Sequence, residues 1–187
     1  MKAYLKKHKT TIVLMVIAIL LFVPQTGTPI KVFLNRLLSG SPSLIAEKNQ
    51  ERLTDYNWSL FSLANEKVNL EQSKGRVVLV NLWATWCPPC LAELPSLEGL
   101  YNQYANRMDF YFISYEDATV LKRFLAKKDV SLPVYNPASQ SPTQLESSAL
   151  PTTFLISKEG IIVMKKTGAA RWDSEKTKQV IEKLLAE

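Results

Sequence analysis

Cys87 and Cys90 are the only cysteines among 187 residues, and they stand in Trp86-Cys87-Pro88-Pro89-Cys90. Few chemistries suit a lone pair at this spacing. A structural zinc site needs about four ligands, and the only histidine is His8, near the N-terminus. Covalent haem attachment needs histidine after the second cysteine, where Leu91 stands. A purely structural disulfide would close a loop of a few residues and remove little entropy from the unfolded chain. A redox pair remains. Glu93, three residues after Cys90, is the nearest ionisable side chain that follows the pair.

The surrounding pattern is the one a redox pair requires. Residues 76–84 contain Val77-Val78-Leu79-Val80-Asn81-Leu82-Trp83, a β-branched run expected to be a strand buried on both faces. Residues 89–104 place Leu91, Leu94, Leu97, Leu100, Tyr101 and Tyr104 at helical spacing, with Pro95 expected to kink the helix. Cys87 would then sit at the positive end of a helix, near free backbone N–H groups. Such settings lower a thiol pKa from about 8.5 toward roughly 3.5–7.5. Cys87 is thus expected as the exposed nucleophile. Cys90, one turn on, is expected to face the core and resolve the mixed disulfide. Pro88 and Pro89 offer no N–H, subtract hydrogen bonds to the thiolate, stiffen the turn and tune the potential.

The remaining elements position this pair. Strands are expected at 58–63, 67–70, 109–114, 152–157 and 161–167, and helices at 119–128 and 172–186, the last capped by Asp173 or Ser174; Val134-Tyr135 offers an optional short strand besides these. Asn65-Glu66 and Ser157-Lys158-Glu159-Gly160 read as turns, and residues 139–148 as a polar loop with one helical turn. The order β-β-β-α-β-α-β-β-α implies an α/β domain, a central mixed sheet with helices on both faces. Trp83 and Trp86 are expected to pack, with Trp86 shielding the edge of the site. Trp58 and Trp172 read as core or rim aromatics, Lys165-Lys166 as a solvated strand end, and Glu116-Asp117 as a loop and helix-start cluster.

Charge is unevenly distributed. The chain carries 23 basic and 17 acidic residues, a net charge of +6. Residues 1–40 hold Lys2, Lys6, Lys7, Lys9, Lys31 and Arg36 and no acid, so that segment accounts for the excess and the rest is neutral. A basic nucleic-acid-binding surface on the main domain is excluded. Residues 10–30 lack charge altogether. The apolar heart, 12–23, would cover about 18 Å as a helix, and the whole run about 31 Å, comparable with a bilayer core. Pro24 could bend or end that helix, and flanking lysines can snorkel.

No Ala-x-Ala pattern follows this run, so 1–29 reads as a cytoplasmic tail and uncleaved signal anchor, with a cleaved secretory signal as the alternative. No cysteine is present there for lipidation. Four lysines precede the run, placing the N-terminus in the cytoplasm and the remainder across the membrane. Ile30, Phe33, Leu34, Leu37 and Leu38 recur at helical spacing. They describe an amphipathic helix that lies on the outer membrane face, continues the anchor or packs on the domain. Residues 30–55 are read as this helix and a linker, and 56–187 as the catalytic domain.

Val80-Asn81-Leu82-Trp83-Ala84-Thr85-Trp86-Cys87-Pro88-Pro89-Cys90-Leu91-Ala92-Glu93-Leu94-Pro95, together with Ala149-Leu150-Pro151-Thr152-Thr153-Phe154-Leu155-Ile156, resembles the thioredoxin superfamily. The resemblance is specifically to its membrane-anchored TlpA/ResA-like thiol–disulfide reductases, and it covers roughly residues 55–187. It implies a thioredoxin-like fold and a redox-active Cys87–Cys90 disulfide. It implies a cis Pro151 facing the pair, with the Leu150 backbone and Trp86 meeting an extended substrate segment. It also implies Glu93 as an acid able to accept or relay the proton of Cys90. Ordinary thioredoxins carry a buried acid where Asn81 stands. Asparagine cannot titrate, so proton handling shifts toward Glu93.

The expected activity is reduction of disulfides in exported proteins at the cytoplasmic membrane, with the domain on the extracytoplasmic or periplasmic side. No cofactor and no metal is expected. Partners would be cysteine-containing substrates and a membrane thiol donor, with cytochrome c maturation as the family's suggestion. The same chemistry run backwards, a thiol oxidase, and a redox-silent scaffold are the alternatives. A thiol peroxidase lacks its peroxidatic motif here.

Overall fold

The structure, a computed structural model, describes residues 24–187 together with residues 8, 11, 12, 14 and 15. The anchor expected over 1–29 lies for the most part outside the described residues. Among the described residues no helix is long and apolar enough to cross a membrane.

Seven strands form one mixed sheet: β1 (Ser59–Ser62), β2 (Lys67–Asn69), β3 (Val78–Leu82), β4 (Asp109–Ile113), β5 (Val134–Pro137), β6 (Thr152–Ile156) and β7 (Ile162–Thr167), in the order β2-β1-β5-β4-β3-β6-β7. Among the described residues the longer helices are α1 (Pro24–Leu38), α2 (Pro88–Tyr104), α3 (Ala118–Lys128) and α4 (Glu175–Ala186). The fold is thioredoxin-like; the expected elements from β1 to α4 are present, and β5 adds one strand between α3 and β6 to the expected order. Ser174 caps α4 by accepting from the Thr177 N–H, and Asp117 caps α3 by accepting from the Thr119 N–H.

β3 lies at the heart of the sheet, parallel to β4 and antiparallel to β6, and every one of its residues is buried. That is why it reads as unbroken apolar sequence. The strand period of two sends Leu79, Asn81 and Trp83 toward one face and Val78, Val80 and Leu82 toward the other. On the first face, Leu97, Leu100 and Tyr104 of α2, Leu121 of α3, and Ile181 and Leu184 of α4 build one core cluster. The second face is covered differently from expectation. Leu53, Tyr56, Trp58, and Leu70 and Leu145 from single helical turns (Leu70–Ser73, Thr143–Leu145) pack there instead of long helices. Both parallel crossovers, β3 to β4 and β4 to β5, step in one direction along the sheet. Right-handed connections therefore put α2 and α3 on the same side.

Two further differences concern the N-terminal part. α1 already includes Pro24 and runs through Pro29 to Leu38, and it lies against α2. Residues 42–56, expected largely as linker, are fastened to the domain. Ile45 N donates to Val163 O, Leu53 N to Gly160 O, and Ile162 N to Glu51 O. Leu53 and Tyr56 are buried. The polar composition of this stretch hid its two apolar anchors.

Gly160 holds that junction. Its φ is +82°, and a Cβ there would stand 2.7 Å from Tyr56 Oη and 3.1 Å from Leu53 O. Gly75 has φ +84° with nothing within 4 Å. Gly75→Ala should therefore cost only the left-handed backbone, roughly 1–2 kcal/mol. Gly160→Ala should cost about 1–3 kcal/mol more through overpacking. Urea unfolding of the two variants beside the parent checks the difference.

Candidate active site

Cys87 ends the turn after β3 and caps α2. Its N–H donates to Ala84 O at 3.3 Å, and its Sγ accepts from Cys90 N–H, also at 3.3 Å. Pro88 and Pro89 occupy the first two helical positions, where a missing N–H costs no helical bond. The first amide free to meet the sulfur is therefore that of Cys90. Cys87 and Cys90 are joined as a disulfide. The expected exposed nucleophile is in fact only 4% exposed, and Cys90 is buried too. In the disulfide form both sulfurs belong to the core cluster that includes Trp83, Ala84 and Leu94. Trp86, expected to shield the site by packing, instead stands 70% exposed. Trp83 does pack, with its ring 5.7 Å from that of Phe124.

The Leu150–Pro151 peptide is cis, as the resemblance implied. Thr152 Oγ1 donates to Ala149 O, Ala149 N to Ser147 Oγ, and Gly168 N to Pro151 O, which fixes the turn leading into β6. Leu150 lines an open groove of about 650 Å³ with Leu82, Trp83, Ile113, Tyr115 and Leu145. Extended chain could lie there against exposed aromatic and backbone surface.

Below the pair lies Glu93, 2% exposed on the inner side of α2. It is not a solvated helix residue. Its Oε1 accepts from Asn81 Nδ2 at 2.8 Å and from Thr153 Oγ1 at 3.5 Å. Its Oε2 accepts from Ala170 N at 3.2 Å and Trp172 Nε1 at 3.3 Å. Asn81 Nδ2 also donates to Thr153 Oγ1 at 2.7 Å, while Asn81 Oδ1 is buried without a protein partner. Asn81 and Glu93, paired in sequence reasoning only by a substitution argument, thus touch. Burial pushes the Glu93 carboxyl up to about 7 against the opposing pull of these donors. A group of that pKa can take up or release a proton near neutral pH.

One residue at the site was not anticipated from sequence. Glu116, expected only as part of a loop cluster, accepts from Thr85 N at 2.7 Å and from Thr85 Oγ1 at 2.6 Å. Asn136 Nδ2 donates to the carbonyls of Ser114 and Glu116, holding that loop. The residue two before Cys87 is thereby fixed by a carboxylate 31 positions away, and no local spacing signals such a contact. No cluster of metal-ligating side chains occurs among the described residues.

Residues 48–185 match the Redoxin family. The thioredoxin-like protein YneN of Bacillus subtilis is 30% identical over 110 residues, covering 57% of this chain and 65% of that protein. The thiol-disulfide oxidoreductase ResA of Bacillus cereus is 31% identical over 135 residues, covering 69% of this chain and 73% of that one. Among solved structures, a thioredoxin-family thiol:disulfide interchange protein from Chlorobium tepidum superposes with a TM-score of 0.56 at 22% identity. It covers 72% of this chain and 98% of that chain. At that identity the likeness speaks for the fold alone.

The raised Glu93 pKa has a measurable consequence. In the folded protein this carboxyl keeps its proton up to about pH 7, against 4.5 when unperturbed. The folded state binds more protons between those values, so the stabilisation is full below pH 4.5 and is lost as pH rises through 7. The loss should be on the order of 3 kcal/mol. Glu93→Gln should flatten the stability profile over that window, as read by denaturant unfolding at a series of pH values.

Proposed function

The chain belongs to the Redoxin family as a TlpA/ResA-like member of the thioredoxin superfamily, and from that premise we propose that it is a thiol–disulfide oxidoreductase acting as a membrane-tethered reductase of exported proteins. The observation that carries this reading is the Cys87–Cys90 disulfide at the N-terminus of α2, in a chain whose Leu150–Pro151 bond is cis.

In the reduced enzyme, the Cys87 thiolate attacks one sulfur of a substrate disulfide. A mixed disulfide forms and the other substrate sulfur leaves as a thiolate, which takes up a proton. The Cys90 thiol then loses its proton and attacks Cys87 Sγ. The second substrate sulfur leaves, and the Cys87–Cys90 bond closes. Two electrons pass to the substrate. Glu93, on the same helix three residues from Cys90, is suited to accept the Cys90 proton because its pKa stands near 7. Leu150 and Trp86 supply backbone and exposed aromatic surface for the substrate segment. A second thiol donor must reopen the disulfide, and in an oxidising outer compartment a membrane carrier serves that role.

The first turn of α2 supports the reductive direction. An N-cap acceptor ordinarily draws on the N–H groups of the second and third helical positions. Here the second is Pro89, so only Cys90 N–H remains. Fewer donors stabilise the thiolate less, and a less stabilised thiolate makes a more reducing couple. The uncharged run 10–30 behind four lysines supports the tether and the extracytoplasmic placement.

Cys90→Ala should accumulate mixed disulfides through Cys87 in membranes, released by excess dithiol. Cys87→Ser should abolish protein-disulfide reduction. Full activity of Cys87→Ser would defeat the proposal, and an empty Cys90→Ala trap would favour a scaffold. A reduction potential nearer −270 mV than −120 mV is expected, and the reverse would indicate an oxidase.

A further inference from the structure

α1 presents its side chains the wrong way round for a helix of a water-soluble domain. Such helices turn their apolar stripe inward. Here the partly buried line is Thr28, Val32, Asn35 and, just past the end, Ser39. Ile30, Leu34 and Leu38 face away from α2, and Leu38 is 81% exposed; Phe33 and Leu37, 65% and 70% exposed, form the edge of the same apolar stripe and also border, with Arg36, the crevices between α1 and the domain. At 3.6 residues per turn the centres of these two lines lie roughly 160° apart. The helix thus rests its polar side along α2 and offers its apolar side to the surroundings. Lys31 and Arg36 fall on opposite flanks of the apolar stripe, and both are exposed.

A stripe of large apolar side chains bordered on each side by one cation is the pattern of a helix lying in the plane of a membrane interface. The apolar residues enter the acyl boundary and the cations reach the phosphates. The placement in the chain agrees, because the uncharged run 10–30 extends through the first seven residues of α1 and no acidic residue occurs before residue 41. A second copy is a poor occupant of the stripe. It would bring the Lys31 and Arg36 of two helices together, and α1 carries no acid to offset them.

We infer that α1 is an interfacial helix whose outward face is buried in a lipid surface containing anionic headgroups. The inference rests on the proposed membrane tether but adds something separate from it. It makes α1 a layer between bilayer and domain, with α2 next above it. The reactive helix, packed on α1, is then held at a fixed height above the membrane rather than swinging on a free segment.

The test uses the full chain with Cys87→Ser and Cys90→Ser, carrying a nitroxide label at Phe33→Cys, Leu37→Cys or Lys48→Cys. The chain is reconstituted in vesicles of phosphatidylethanolamine and phosphatidylglycerol. Labels at 33 and 37 should show an oxygen-to-nickel-chelate accessibility ratio several-fold above that at 48. An alkaline carbonate wash reports the tether separately. If the chain survives the wash but labels 33 and 37 meet nickel as freely as label 48, the interfacial helix is overturned and the tether stands. If the wash strips a chain whose labels were oxygen-rich beforehand, the interfacial helix is supported and the tether fails. Spin–spin broadening at 33 or 37 that vanishes on dilution with unlabelled chain would assign the stripe to a second copy and overturn the inference.

Discussion

A carboxylate shut away from water must be given either donors or a proton, and Glu93 is given both. Its donors come from separate parts of the chain: Asn81 of β3, Thr153 of β6, and Ala170 and Trp172 from the segment before α4. All four are neutral. An ionised carboxylate without a cation nearby remains costly even when hydrogen-bonded, so burial prevails and protonation extends to near neutrality. The central strand, the strand after cis Pro151 and the active-site helix are thereby tied to one ionisable group. Ser96 reinforces the link, donating to Glu93 O and accepting from Trp172 N.

Around that group the pair is held from two directions. From the helix side, two prolines start α2 and leave Cys90 N–H as the donor to Cys87 Sγ. From the strand side, Glu116 grips Thr85 through both its amide and its hydroxyl. These interactions place the cysteines with little freedom and set how much a thiolate at Cys87 would be stabilised. The disulfide and the buried ionisable carboxyl of Glu93 thus reside on one helix, one turn apart.

The main strands, the three domain helices and the disulfide-forming cysteine pair were legible because each has a local signature. β3 is a continuous apolar run, α4 has an amphipathic period and a Ser174 cap, and the cysteines are the only two present. Less legible was anything decided between distant segments. Glu116 and Thr85 meet only because β3 and β4 are adjacent and parallel. The burial of Cys87 depends on how Trp83 and Ala84 pack around it, which spacing does not encode. Residues 42–56 looked like a linker because charge and polarity dominate there. Two side chains, Leu53 and Tyr56, and the left-handed Gly160 suffice to dock them. The direction of the α1 stripe required the domain itself, since amphipathicity says that a helix has two faces but not which neighbour each one meets.

The fastening of the segment after α1 limits reach. Between the end of α1 and the buried Pro42 lie Ser39, Gly40 and Ser41, and Gly40 O already accepts from Arg171 N. Three residues extend at most about 11 Å. In the proposed tethered enzyme this would leave no leash, and the domain would not patrol the space beyond the membrane. Its clients would have to come to it, with their disulfides presented within the thin layer that a stationary domain can touch. Encounters would then be governed by sideways travel in two dimensions, which favours partners that are themselves confined to the same surface.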